Sequence, residues 1–296
     1  MARATIPVDL RNPGQVFACL GLMEAAEVLC GPCEGAFLYK SSDTLTRFAI
    51  AAAGEANPVE ATLAFLDAAS VEVTVPRGSD ISAKDVSTKW ALAAREAESS
   101  AYPFPPPDTP ATLAAALVDN RGTKIPVEHW GDSSRTGRDN VKLWAGAGGY
   151  PGAALARDAL SLLRSSGPRP LTQAVADPFS VQAAQSSSFR FDWRRDYVPL
   201  DVGFSPNEHG NVSMVGFPLV ELLAAIGLQH ARPKREDKLT YRYGVSNAVL
   251  PTSFVRAMLG CQGMNFPMRT FRMRLGWPGQ EGQARCIIDT REEGTT

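Results

Sequence analysis

Basic and aromatic residues alternate in three stretches of the second half of this 296-residue chain. The stretches are 190–197 (RFDWRRDY), 241–243 (YRY) and 269–274 (RTFRMR). Arginine neutralises phosphates and aromatic rings stack on bases, so this composition favours binding of single-stranded nucleic acid. In the last stretch, strand alternation would place Arg272 and Arg274 on one face, opposite the apolar side chains. The same alternation is also typical of an ordinary half-buried strand with a cationic outer face.

A basic segment rich in glycine covers residues 133–152. Its glycine spacing matches neither the dinucleotide fingerprint nor the P-loop, and no Gly-Lys-Ser/Thr occurs, so ATP hydrolysis is disfavoured. Backbone N–H groups that precede a helix can nevertheless hold a phosphate, and Arg135, Arg138 and Lys142 would add positive charge. The alternative is a plain surface loop.

We therefore predict a set of nucleic-acid contacts in the second half of the chain. The predicted phosphate contacts are Arg135, Arg138, Lys142, Arg190, Arg194, Arg195, Arg272 and Arg274. The predicted stacking side chains are Trp193 and Tyr197.

A C-x-x-C motif, Cys30 and Cys33, invites a comparison with thiol redox proteins. That chemistry needs the first cysteine at the start of a helix. Here the motif follows a helix, and Gly31 and Pro32 are typical of a helix end. The sequence therefore disfavours redox activity.

The histidines, His129, His209 and His230, have no metal-ligand spacing, and the remaining cysteines are isolated in sequence. We predict no metal, no cofactor and no catalytic residue. His129 is the one histidine near the glycine-rich segment, and an RNA-processing enzyme would need it as an acid or base.

Charge is distributed unevenly although the formal net charge is −1. Residues 1–120 carry 8 Lys and Arg against 15 Asp and Glu, whereas residues 121–296 carry 22 against 16. This asymmetry is compatible with a polyanionic partner for the second half, or with two ordinary surfaces that differ by chance. The first residues lack the apolar segment of a secretory signal and no unbroken apolar run is long enough to span a membrane, so we expect a cytoplasmic protein with reduced cysteines.

Two apolar helices with an internal glycine are expected near the two ends of the chain. They cover residues 13–29 and 218–231, and each has a proline in its first turn and a Gly-Leu step about two turns later, at Gly21 and Gly227. A glycine inside a helix costs about 1 kcal/mol relative to alanine, so we expect another backbone to pack closely there. The two helices either pack on each other or belong to two related halves of the chain.

Mixed helices and strands without regular β-α-β spacing predict an α+β fold with mixed or antiparallel sheets. We predict an acidic α+β part over 1–120 and a basic α+β part over 121–296, which could also form one integrated domain. The first part contains a Pro/Ser-rich insertion at about 76–110, predicted as a loop or a partly ordered segment.

Local patterns predict further elements. The predicted helices cover 58–69, 112–118, 151–163 and 252–259, and the predicted strands cover 36–39, 45–50, 71–75, 125–130, 188–193, 239–243, 267–275 and 283–290.

The two glycine-bearing helices and their flanks resemble a known family as a pair. The carrying residues are Val8-Asp9 with the segment 12–22 (NPGQVFACLGL), and the segment 201–206 (DVGFSP) with 220–229 (VELLAAIGLQ). These segments are similar to those of the CRISPR-associated Csb proteins, and within that group to the third kind, found in type I-U systems, also called type I-G.

The resemblance implies a non-catalytic subunit of a Cascade-like, crRNA-guided effector complex in antiviral defence. Its partners would be other subunits of the complex, crRNA and target DNA, with no membrane. The implied fold is either like that of the ferredoxin-like RAMP proteins or like that of the large subunit. The chain departs from a clear RAMP pattern because it has no convincing C-terminal Gly-rich RNA-binding loop. Two alternatives stay open: a docking scaffold without nucleic-acid contact, and an RNA-processing enzyme.

Overall fold

Helices and strands are interspersed along the chain, in an α+β fold, as predicted. The computed structural model describes residues 1–40, 46–104, 107, 110–130, 150–165, 171–184, 188–196, 214–261, 263–264, 266–277 and 285–295. The helices are α1 (Pro13–Cys30), α2 (Pro58–Ala68), α3 (Ala83–Trp90), α4 (Gly152–Ser165), α5 (Trp193–Asp196), α6 (Pro218–Gly227) and α7 (Thr252–Leu259).

The strands form three four-stranded sheets and one two-stranded sheet within these residues. They are β1 (Ala2–Pro7), β2 (Cys33–Leu38), β3 (Arg47–Ala52), β4 (Ser70–Pro76), β5 (Ala93–Ala97), β6 (Ala115–Val118), β7 (Lys124–Pro126), β8 (Ala183–Ala184), β9 (Val215–Gly216), β10 (Lys234–Arg235), β11 (Thr240–Val245), β12 (Leu250–Pro251), β13 (Arg269–Gly276) and β14 (Cys286–Thr295).

The first sheet has the antiparallel order β1-β3-β2-β12, and the second has the antiparallel order β10-β11-β13-β14. The third has the order β5-β4-β6-β7, in which β4 and β5 run parallel, and β8 pairs with β9. In the first sheet β3 lies between β1 and β2, which is the split β-α-β arrangement of ferredoxin-like units. The chain departs from that arrangement at β4, because β4 pairs with β5 and β6 instead of returning to β1.

The two glycine-bearing helices, α1 and α6, pack directly on each other. A Cβ atom added to Gly21 would lie 1.8 Å from the Leu223 carbonyl oxygen, and one added to Gly227 would lie 2.2 Å from that of Phe17. Only glycine lets the two backbones approach this closely. The prediction that another backbone packs on these glycines is confirmed.

Buried carboxylates fix the chain at the start of both helices. The Glu221 side chain, which is fully buried in α6, accepts hydrogen bonds from the backbone N–H groups of Phe191 (3.1 Å) and Asp192 (2.9 Å). The Asn12 amide, at the start of α1, donates to Asp192 Oδ1 at 3.0 Å. The segment before α5 is therefore held between the N-terminal ends of α1 and α6.

α1 is the central core helix. It is 18 residues long with a mean hydropathy of 1.2, so by length and composition it could cross a membrane. In this structure residues 13–26 are buried on every side, which is the arrangement of a core helix.

Three local predictions are wrong. Residues 112–118 do not form a helix, because β6 runs there and pairs with both β4 and β7. Residues 188–193 do not form a strand; Arg190 has a φ of +65°, and Glu221 holds the backbone N–H groups that a neighbouring strand would use. The stretch 76–110 is not a plain loop, because it contains α3 and β5.

Candidate nucleic-acid interface

One row of cations crosses all four strands of the second sheet. Lys234 pairs with Arg242, Arg242 with Arg272, and Arg272 with Arg291. Neighbouring strands lie about 4.8 Å apart, so the row spans about 14 Å. Arg274 lies two residues further along β13 and therefore on the same face. We refer to these five residues as the cationic face.

The opposite face of this sheet is anchored in the core, and this fixes the outward direction of the cations. Phe271, Met273 and Tyr243 are buried, and the Tyr243 ring stacks on Phe271 with ring centroids 5.3 Å apart. Tyr243 also meets Phe17 of α1 edge-on at 5.8 Å, and its hydroxyl donates to the Leu10 carbonyl at 2.7 Å. The alternation predicted for 269–274 is confirmed.

Two glutamates partly neutralise the centre of the row. Glu236 bridges two strands, because its carboxylate lies 2.9 Å from Arg242 Nη1 and 3.2 Å from Arg272 Nε. Glu293 lies 2.5 Å from Arg242 Nε and accepts a hydrogen bond from Arg242 Nη2 at 3.3 Å, and this hydrogen bond raises the pKa of Arg242. Arginines placed directly opposite each other repel, at a cost of about 0.2–1 kcal/mol for each pair, and these carboxylates offset that repulsion.

The ends of the face are less neutralised than its centre. Arg291 is 78% exposed and is paired with Asp289 at 2.8 Å. Lys234 and Arg274 are both exposed, and neither forms a salt bridge within the described part of the chain. Asp237 also interacts with Arg272. Four carboxylates of the described residues thus accompany five cations, and the face keeps a small positive balance.

An aromatic side chain with two cations stands at the end of β13. The Trp277 ring centroid lies 5.8 Å from Lys238 Nζ and 5.6 Å from Arg285 Cζ. Arg285 also donates a hydrogen bond to the Lys238 carbonyl at 3.4 Å, so the two residues whose side chains lie near the ring are linked to each other. Bases of single strands stack on aromatic side chains that lie among cations, as Trp277 does here.

The structure brings only part of the predicted contact set together. Arg272 and Arg274 lie on the cationic face. Arg194 has a different role: its guanidinium bonds the fully buried Asp192 carboxylate, donates to the Phe179 carbonyl at 3.0 Å, and lies 3.4 Å over the Phe217 ring.

Two further predicted contacts are partly buried, and the others lie outside the described side chains. Trp193 is partly buried and packs against the core, and Arg190 is half-buried with the positive φ described above. Arg195 belongs to α5, and its side chain lies outside what the structure describes. Four predicted contacts lie wholly outside the described residues, namely Arg135, Arg138, Lys142 and Tyr197.

Sequence reasoning missed several residues of this surface. Lys234, Arg242 and Arg291 lie on three different strands, and only the register between strands aligns them with Arg272. Arg242 belongs to the basic–aromatic stretch 241–243, whose composition already indicated nucleic-acid binding. No local pattern marks the other two.

His129 lies in an aromatic cluster and not on a surface. It is 3% exposed, and its ring centroid lies 5.1 Å from that of Trp130, 5.9 Å from Phe189 and 5.3 Å from Phe191. A substrate would have to displace this cluster to reach the imidazole. The geometry therefore lends the enzyme alternative no support.

The C-x-x-C motif joins the end of α1 to β2, as the sequence indicated. Gly31 ends the helix with a φ of +88°, and Cys33 is buried. Burial raises the pKa of Cys33 to about 12, with Glu27 and Cys30 adding to the shift. A redox cysteine needs a lowered pKa, so this environment opposes thiol chemistry.

Within the part of the chain that the structure describes, no three His, Cys, Asp or Glu side chains converge into a group that could hold a metal ion.

Comparisons of the chain with protein-family models, with curated proteins and with solved structures find no match.

Proposed function

We propose that this chain is a non-catalytic, cytoplasmic subunit of a type I CRISPR effector complex, and that it holds the backbone of crRNA or target DNA. The observation that carries the nucleic-acid part is the row of Lys234, Arg242, Arg272 and Arg291 across the second sheet. The effector-complex part is supported by the resemblance of the two glycine-bearing helices to the Csb proteins.

A phosphate backbone suits this face for two physical reasons. The row is about 14 Å long, so it can meet more than one consecutive phosphate of a strand. A bound phosphate also relieves the repulsion between neighbouring arginines and releases condensed counterions, which supplies affinity without reading sequence. Trp277 at the end of the face adds a stacking position.

The acidic first part of the chain would repel nucleic acid. The cationic face is therefore expected to act together with neighbouring subunits, which would enclose the strand from the other side.

The proposal predicts a specific change in salt dependence. Arg272→Ala combined with Arg291→Ala removes two phosphate contacts, so the slope of log affinity against log salt for a single-stranded oligonucleotide should fall by about 1.4. The matched control is Lys40→Ala combined with Arg47→Ala, which removes two exposed cations outside the cationic face. Fluorescence anisotropy across a salt series measures both. Equal slopes for the two double variants would contradict the proposal.

A second candidate function is a docking scaffold that contacts only protein. It is favoured by a groove of about 340 Å³ on the first sheet, lined by small residues such as Ala49 and Ala51. Met1 and Val249 border the groove with 67% and 65% exposure. In that case the chain would join its complex normally while crosslinking to neither RNA nor DNA.

A further inference from the structure

One carboxylate lies between two arginines at the centre of the cationic face. Glu236 Oε1 lies 2.9 Å from Arg242 Nη1, and its second oxygen, Oε2, lies 3.2 Å from Arg272 Nε. The two arginines belong to β11 and β13 and are directly paired in the sheet. Each oxygen of the carboxylate therefore faces a guanidinium on a different strand, and the two arginines together receive one group that has two anionic oxygens.

A phosphodiester resembles this carboxylate in charge and in its acceptor atoms. It carries one negative charge, and its two terminal oxygens accept hydrogen bonds from separate donors. Guanidinium groups bind carboxylates and phosphates through the same N–H donors. A backbone phosphate that takes the place of the Glu236 carboxylate would therefore leave neither Arg242 nor Arg272 without an anion at the shared position.

Both arginines keep another acidic neighbour when Glu236 is displaced. Glu293 lies 2.5 Å from Arg242 Nε and accepts from Arg242 Nη2 at 3.3 Å, so it uses the two nitrogens that Glu236 does not contact. Asp237 interacts with Arg272. These two carboxylates limit the repulsion between the arginines, whereas Glu236 occupies the position that the arginines share.

Glu236 can leave this position by rotation of its side chain. The residue stands directly after β10, in the turn to β11, and its backbone N–H donates to the Thr240 carbonyl at 2.9 Å. The side chains of Arg242 and Arg272 are 35% and 47% exposed, and that of Glu236 is 22% exposed. A strand can therefore approach the arginine pair from solvent, and the exchange needs no change in the backbone of the turn.

We infer that Arg242 and Arg272 form the central phosphate site of the cationic face, and that the Glu236 carboxylate occupies this site until a backbone phosphate displaces it. The inference rests on the proposed function and locates one of its contacts. It makes Glu236 a competitor of the ligand, so Glu236 lowers the affinity of the free chain for a nucleic-acid strand.

A purely structural role for Glu236 predicts the opposite effect on binding. A carboxylate that only held Arg242 and Arg272 in position would leave them misaligned when it is removed, and binding would weaken. A carboxylate that occupies the phosphate site leaves that site open when it is removed, and binding tightens. The sign of the change in affinity therefore separates the two roles.

Glu236→Gln removes the charge and keeps the size of the side chain. We expect it to tighten binding of a fluorescein-labelled oligouridylate and of an oligothymidylate of the same length about fivefold at constant salt, as measured by fluorescence anisotropy. The matched control is Glu34→Gln, which makes the same change in net charge on β2, outside the cationic face, and should bind as the wild type does. Thermal transitions followed by circular dichroism verify that both variants are folded.

Arg272→Ala tests the coupling, because it removes one side of the site. In that background Glu236→Gln should tighten binding less than it does in the wild type. An equal gain in both backgrounds, or an equal gain from Glu34→Gln, would overturn the inference.

The inference and the proposed function fail in different ways. Unchanged or weaker binding by Glu236→Gln, while Arg272→Ala with Arg291→Ala weakens binding, would overturn the inference and leave the proposed function standing. Unchanged binding in all of these variants would overturn both.

Discussion

Arg194 stabilises a buried carboxylate, a role that its basic–aromatic neighbourhood does not reveal. Its guanidinium contacts both oxygens of Asp192, whose side chain is fully buried, and Asn12 and the Arg194 backbone N–H complete the set of donors. Removing the cation that pairs with a buried carboxylate lowers the free energy of unfolding by several kcal/mol. A loss of nucleic-acid binding on mutating Arg194 would therefore report on folding.

We predict that Arg194→Ala lowers the free energy of unfolding by roughly 2 kcal/mol, less than for a fully buried pair because the arginine is partly exposed. Urea denaturation followed by circular dichroism measures it. Arg194→Leu combined with Asp192→Asn removes both charges and should recover part of the loss. If Arg194→Ala alone is as stable as the wild type, the structural role is wrong.

Glu128 makes stability depend on pH. Burial raises the pKa of this carboxyl from 4.5 to about 7, while the Gln229 amide donates to it at 3.2 Å. Because the pKa is higher in the folded than in the unfolded state, the folded state binds more protons between pH 4.5 and pH 7, and stability falls as pH rises through this window.

Glu128→Gln removes this titration and keeps an acceptor for Gln229. Its free energy of unfolding should exceed that of the wild type by roughly 3 kcal/mol above pH 7 and should match it below pH 4.5. Urea titrations at several pH values supply the comparison. A difference that does not vary with pH would rule out the raised pKa.

At the scale of elements, the backbones of α1 and α6 pack in direct contact at Gly21 and Gly227. Gly21→Ala would place its Cβ 1.8 Å from the Leu223 carbonyl oxygen, so the helices would have to separate. We predict a loss of at least about 3 kcal/mol in the free energy of unfolding. Gly263→Ala, where no atom lies within 4 Å, is the control and should cost nothing. Equal thermal transitions for the two variants would contradict the close approach.

The elements that could be predicted from the sequence are those whose periodicity is complete within the segment. α7 and β13 are examples: α7 begins and ends where predicted, and β13 alternates buried and exposed residues. α1 is buried on every side and has no such periodicity, and its apolar composition and the proline in its first turn predicted it. For β6, the abundance of alanine and leucine favours a helix, although Ala115 and Leu117 alternate with less buried neighbours as in a strand. There, tertiary pairing overrides helix propensity.

α3 and β5 were missed within a stretch whose overall composition is loop-like. A local signal was present, because Ser82 caps α3 by accepting from the Asp85 N–H at 3.0 Å, in the spacing of a capping box. β5 carries little pattern of its own and becomes a strand through its parallel pairing with β4.

The candidate site could be predicted only in part, because part of it depends on how strands pair. Arg272 and Arg274 follow from alternation along one strand. Their alignment with Lys234, Arg242 and Arg291 depends on the register between strands distant in sequence.

At the scale of the whole molecule, the acidic and basic parts share one core. β12, from the second part, pairs with β2 from the first, and α1 is covered by α6. Buried residues from both parts form a single cluster. The difference in charge therefore marks two surfaces of a shared interior.

We predict that neither 1–120 nor 121–296 folds alone, because each would expose the apolar face that covers the other. Separately expressed fragments should show no cooperative thermal transition by circular dichroism, whereas their mixture should recover one. A cooperative transition in either isolated fragment would contradict the shared core.

The central claim is that the chain joins a crRNA-guided complex and holds nucleic acid through its cationic face. The most direct test is affinity purification of the chain from cells that also express its genomic neighbours and a CRISPR array, followed by sequencing of bound RNA and native mass spectrometry. We predict a defined RNA of spacer-plus-repeat length, with this chain in fixed ratio to other subunits, and less RNA for each complex when Arg272 and Arg291 are replaced by alanine. Recovery of the chain alone, without RNA or partner subunits, would contradict the account.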